Sequence, residues 1–134
     1  MVGLRTKASW RGIPHGQLES VLADILPLLR TIPYDEFGID SLLQFLDRRV
    51  LQLWVYGTFQ TILITEIVHH PNYSVLVLKF GAGKITPEIL RAGRGVVLPW
   101  AKMYGCTRVE VVGRRGWGKV LGLSPRPPAF VGEI

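Results

Sequence analysis

The chain has 134 residues, 48% of them hydrophobic and 19% charged, with a single cysteine and a formal net charge of +6. A chain of this size buries about two-thirds of its unfolded surface in one core, which excludes a disordered polypeptide, a disulfide scaffold and a cysteine-rich zinc site. The leader MVGLRTKASWRG has no apolar core and no apolar run reaches about 18 residues, so a soluble protein of a reducing compartment is expected, neither secreted nor membrane-spanning.

After a basic leader (residues 1–14), Leu18, Val21, Leu22, Ile25, Leu26 and Leu29 recur at helical spacing and predict a first helix, which Pro27 should kink or end. Residues 31–38 read as a turn region. Asp40 then caps a second short helix carrying Leu42, Leu43, Phe45 and Leu46. The runs VLQLWVYG, TFQTILITEIVHH and NYSVLVLKFG are rich in β-branched and aromatic residues and predict three antiparallel strands, with turns at Gly57 and at Pro71-Asn72. The middle strand is apolar on both faces. Phe59, Leu63 and Ile67 line one and Ile62, Ile64 and Val68 the other, so it should be central and covered by helices.

Beyond Gly81 the pattern changes. GAGK reads as a loop before the helical segments TPEILRAG and GVVLPWAKMYG, with Gly105 just past the second. TRVEVVG predicts a strand and WGKVLG a short helix with Trp117 turned into the core. The proline-rich tail 124–134 permits at most an edge strand, in AFVGEI. Charge is uneven along this order. Residues 1–80 hold seven basic and seven acidic residues, whereas residues 81–134 hold nine basic residues against Glu88, Glu110 and Glu133. A basic patch of Arg91, Arg94, Arg114, Arg115 and Lys119, with Arg108 nearby, suits a phosphate-bearing ligand, nucleic acid or a partner protein, or a solvated face.

Two N-terminal helices, a three-stranded meander, then helix, strand and helix resemble the GNAT superfamily of acyl-CoA N-acyltransferases along nearly the whole chain. The pieces QLWV (52–55), ITEI (64–67), WAKMYGC (100–106) and GRRGW (113–117) are similar to small GNAT-like proteins of tailed bacteriophages. The expected fold class is therefore α/β (α+β): a single GNAT-like domain over 1–134 with a central, mostly antiparallel sheet.

The resemblance implies acetyl-CoA as cofactor. Its pyrophosphate would lie on the loop after the last meander strand and on the N-terminus of the next helix. Gly81, Gly83 and Lys84 stand there, with Arg91-Ala92-Gly93-Arg94-Gly95 as a second imperfect match, but the superfamily's preceding Arg or Gln is missing. Glu66 on the meander matches the superfamily's general base, with Glu110 as a fallback beside Arg108. The tyrosine that commonly protonates the leaving thiolate is absent from the last helix, which carries Trp117, and Tyr104 ends the preceding helix instead. His69 and His70 alternate to opposite faces and His15 is remote in sequence, so no metal site is expected. Cys106 reads as a small buried hydrophobe.

The first reading is thus a GNAT-like domain without catalysis, a virion or assembly component acting in a particle or in the host cytoplasm through contacts with phage structural proteins. The alternative is an active N-acetyltransferase, with Glu66 as base and Gly81 to Lys84 on the pyrophosphate. A nucleic-acid-binding module is a third, in which Arg114 and Arg115 meet phosphates and Trp117 stacks on a base.

Overall fold

In the computed structural model, which describes residues 8–32, 38–112, 115–126 and 129–134, the described part of the basic leader contains a strand. Strand β1 (Trp10–Ile13) pairs antiparallel with β2 (Gln52–Tyr56). Of its WRGI sequence only Trp10 is buried, and the indole donates to the Ile89 carbonyl at 2.8 Å. Trp10→Phe removes this buried bond and part of the ring, so an expected cost of about 2 kcal/mol should appear in urea denaturation.

A single 3-10 turn leads into helix α1 (Leu18–Leu29). Pro27 lies in its last turn and the helix runs past it, because the only bond forfeited is one near an end where partners are already lost. Helix α2 (Ile39–Asp47) is capped by Gly38, with extended backbone; Asp40, expected as the cap, sits inside the first turn. Its charge favours the helix dipole from there.

The meander forms as expected: β2, β3 (Thr61–His69) and β4 (Ser74–Gly83) are joined by tight turns. Phe59, expected on β3, belongs to the preceding turn, where it takes a positive φ of 62°. A bulge interrupts the β3–β4 ladder: Ile64 faces Phe80 but Thr65 faces Leu78, so Lys79 is the extra residue. The segment GAGK is not a loop. Gly81 and Gly83 are the last paired residues of β4, opposite Leu63 and Thr61.

The two helical segments expected next are one helix, α3 (Pro87–Met103), which continues through Pro99. Gly93 does not break it but serves packing: a Cβ there would stand 3.1 Å from the Trp10 indole nitrogen. α3 is the crossover that brings β5 (Cys106–Val112) parallel to β4, after a turn at Gly105 with φ of 88°. Helix α4 (Arg115–Val120), β6 (Ser124–Arg126) and β7 (Ala129–Glu133) follow. β7 is not an edge strand as expected, since it lies between β5 and β6; the prolines at 125, 127 and 128 all precede it.

The seven-stranded sheet has the order β1-β2-β3-β4-β5-β7-β6. Helices α1 and α2 cover one face, where Ile25, Leu29, Leu42 and Leu46 pack on Val55, Ile62, Ile64 and Ala82. Helices α3 and α4 cover the other, where Val97, Ala101 and Trp117 pack on Trp54, Leu63, Leu76 and Val109. No helix among the described residues is long and apolar enough to cross a membrane.

Candidate functional site

The parallel pairing of β4 with β5 ends at Leu78 opposite Val111, while β4 runs on to Gly83. The Lys79 bulge falls at this point of divergence, and bulges turn a strand away from its neighbour. β4 and β5 therefore part beyond Leu78, which leaves an opening in the hydrogen-bond ladder beside the third meander strand.

Trp117 fills the wall of this opening. The indole is buried, and a Cβ on Gly81 would come within 2.3 Å of its ring. Gly81 is glycine because the indole rests on its backbone. At Gly83 the constraint is the chain itself: φ is 91°, and a Cβ would overlap the Gln60 carbonyl. That carbonyl accepts the Lys84 N–H at 3.0 Å, and the Thr61 hydroxyl donates to the Lys84 carbonyl. The backbone of Lys84 is thus tied to the β3 side.

At the start of α3 the orphan donors of the first turn are met internally. Pro87 has no N–H. Thr86 Oγ1 accepts from Ile89 N at 3.2 Å, and the Thr86 carbonyl accepts from Leu90 N at 3.0 Å. A hydrogen bond from its own backbone N–H, then one with the Thr86 side chain, and Arg91 nearby hold the Glu88 carboxyl below the usual carboxylate range. Thr-Pro-Glu at 86–88 is a legible cap sequence, with an N-cap, a proline at the first helical position and an acid in the first turn.

Glu66 lies on the α1/α2 face opposite Val77, and its Oε1 is 3.3 Å from Lys79 Nζ. Three positions along β3 separate it from Leu63, the partner of Gly81, or about 10 Å. Val77 also faces Glu110 on β5, so the two expected carboxylates stand in one row, with Val77 between them, next to the divergence point. Sequence spacing alone could not show this, because the row depends on the crossover register. Arg108 does not serve Glu110 as expected: its guanidinium lies over the Tyr73 ring at 4.0 Å, which itself neighbours the stacked His70.

The basic residues are dispersed. Arg91 and Arg94 are on α3, and Arg94 donates to the Leu121 carbonyl at the end of α4. Lys119 is exposed on α4. Gly113 and Arg114 lie outside the described residues, and Arg115 opens α4. Cys106 is buried at the start of β5, and burial pushes its thiol pKa up, away from nucleophile chemistry. His69 Nδ1 is 2.7 Å from Ser74 Oγ, and His15 meets Asp47 at 3.5 Å. Among the described residues no group of three His, Cys, Asp or Glu side chains could hold a metal ion.

A second concavity, which sequence reading missed, lies at the other end of the β3–β4 hairpin. It is a groove of about 990 Å³ lined by residues of the β1–α1 connection, Arg49 to Trp54, the end of β3, Trp100 and Tyr104. Trp54, Trp100 and Tyr104 form a ladder of ring contacts, edge-to-face at 5.0 Å and then tilted at 4.8 Å between ring centroids. The ladder could not be found by periodicity, since Trp54 comes from a strand and its partners from a helix that were far apart in sequence.

The element order, a sheet antiparallel except at β4–β5, and paired helices on each face define a GNAT-like fold. A chain in the crystal structure of the NatC complex bound to Gag peptide and CoA aligns with a TM-score of 0.65, covering 96% of this chain and 99% of that one at 10% identity. No protein-family model matches the chain, and no curated protein matches it significantly.

Proposed function

We propose that the chain is a GNAT-like domain that works without acyl transfer, as a virion or assembly component of a tailed bacteriophage. One observation carries the non-catalytic part. In the first turn of α3, where an acyl-CoA pyrophosphate would need donors, Pro87 has no N–H and the Ile89 N–H is taken up by the Thr86 side chain. Seating a diphosphate there would also bring it against the Glu88 carboxylate, and like charges at contact distance are costly. Trp117 against Gly81 supports the same reading, because the indole fills the space over the β4 backbone beside the loop that would hold the cofactor. The phage setting rests on the sequence resemblance, and the partners in a particle or in the host cytoplasm would be phage structural proteins.

Thermal denaturation with CoA tests this. A ligand at one hundred times its Kd stabilises a fold by about 2.7 kcal/mol, so millimolar CoA is expected to leave Tm unchanged. A rise of several degrees would contradict the proposal. Mass spectrometry of purified particles tests the setting, with the chain expected among the virion proteins.

The alternative is an acyl-CoA-dependent N-acetyltransferase. It is favoured by the row of Glu66 and Glu110 beside the β4–β5 divergence, and by likeness to a chain from a CoA-bound complex. Under it, Glu66→Gln or Glu110→Gln would abolish turnover while leaving cofactor binding intact.

A further inference from the structure

The groove at the far end of the β3–β4 hairpin contains an open sheet edge. β2 begins at Gln52, opposite Thr65, and the residues just before it turn away: the N–H groups of Val50 and Leu51 both donate to the Phe45 carbonyl. β3 runs on to His69, so residues 66–69 pair with β4 on one side and, among the described residues, have no neighbouring strand on the other. β1 ends at Ile13 opposite Leu53 and cannot cover them. The exposed backbone groups of such an edge are a template for one further strand.

The groove's chemistry selects its occupant. On the α3 face it offers Ile67, Trp100 and Tyr104, the last 60% exposed. On the α1/α2 side its carboxylate, Glu66, is already paired with Lys79. The Arg49 guanidinium has no hydrogen-bond or ion-pair partner among the described residues, and its backbone takes a positive φ of 63°, a conformation that costs a non-glycine residue free energy. A guanidinium on one side and aromatic rings on the other match a strand whose side chains alternate between acidic and apolar.

We propose that this groove binds an extended, alternating acidic and apolar segment of a partner protein, which adds as a strand to the edge of β3 at Glu66 to His69 and sets a carboxylate on Arg49. The site shares only Glu66 with the carboxylate row beside the β4–β5 divergence, and its readouts at Arg49, Trp100 and the β3 amides do not depend on cofactor binding.

The test uses the full chain and the blocked hexapeptide acetyl-Glu-Val-Glu-Val-Glu-Val-amide, followed by amide hydrogen exchange and NMR. The outward-facing amides of residues 66–69 are expected to slow by about tenfold at saturation. The Trp100 indole resonance should shift with them. Arg49→Ala should weaken binding about tenfold, the worth of one charge-assisted hydrogen bond, with unchanged circular dichroism. Two control peptides should not bind: one with lysine in place of glutamate, and one N-methylated at every residue, which cannot donate to a ladder in either register. Absence of protection at millimolar peptide would overturn the proposal, as would equal protection by either control. Concentration-dependent protection without peptide would also overturn it, since the occupant would then be a second copy of this chain.

Discussion

Replacing Trp117 with alanine is expected to lower stability by about 3–5 kcal/mol, a fall in Tm of roughly 10 °C. The indole is buried among residues of α3, α4 and the sheet, and its ring lies on the Gly81 backbone. Alanine would leave a cavity facing β4 that the flanking strands, held by their ladders, cannot close. The same contact predicts a coupling of unusual sign. Gly81→Ala alone should destabilise, because its methyl would stand 2.3 Å from the ring. In the Trp117→Ala background that methyl enters vacated space, so the double variant should be less damaged than the sum of the single ones. Additive losses in chemical denaturation would contradict the packing of Trp117 on Gly81.

Gly83→Ala is expected to cost about 3 kcal/mol or more, from left-handed strain together with a backbone collision. The φ of 91° favours glycine, and a Cβ would lie 2.2 Å from the Gln60 carbonyl oxygen. Relief requires moving that carbonyl, which breaks its bond to Lys84 N and pulls Thr61 from the Lys84 carbonyl. The end of the β3–β4 ladder at Thr61 and Gly83 would then fray, and with it the approach to α3. Urea denaturation within about 0.5 kcal/mol of the parent protein would contradict the register assigned to these residues.

Both glycines illustrate what sequence could and could not reveal. Gly81 and Gly83 resemble a phosphate loop on paper because glycine marks any place where something approaches the backbone closely. Which neighbour approaches is a tertiary fact: here it is an indole and a carbonyl of the adjacent turn. The meander was legible from β-branched runs and the helical stripes from their spacing, and their order led to the GNAT-like fold. Strand β1 was hidden because four residues in a basic leader carry too short a pattern, and its anchor, the bond from Trp10 to Ile89, spans most of the chain. α3 appeared as two helices because Gly93 and Gly95 weaken helix propensity, while the packing of Trp10 that requires Gly93 is invisible locally. Of the candidate carboxylates, Glu66 was placed on the correct face by alternation. Its partner Lys79 and its row with Glu110 depend on a bulge and a crossover register that no local pattern encodes.

The internal use of the α3 N-terminus and the seat of Trp117 on β4 together support the proposal that this GNAT-like fold does not bind acyl-CoA. Isothermal titration calorimetry with acetyl-CoA tests it most directly. The account predicts no heat beyond dilution up to about 1 mM acetyl-CoA, which places any Kd above the millimolar range. Saturable binding with a micromolar Kd would contradict it and leave the acyltransferase reading in its place.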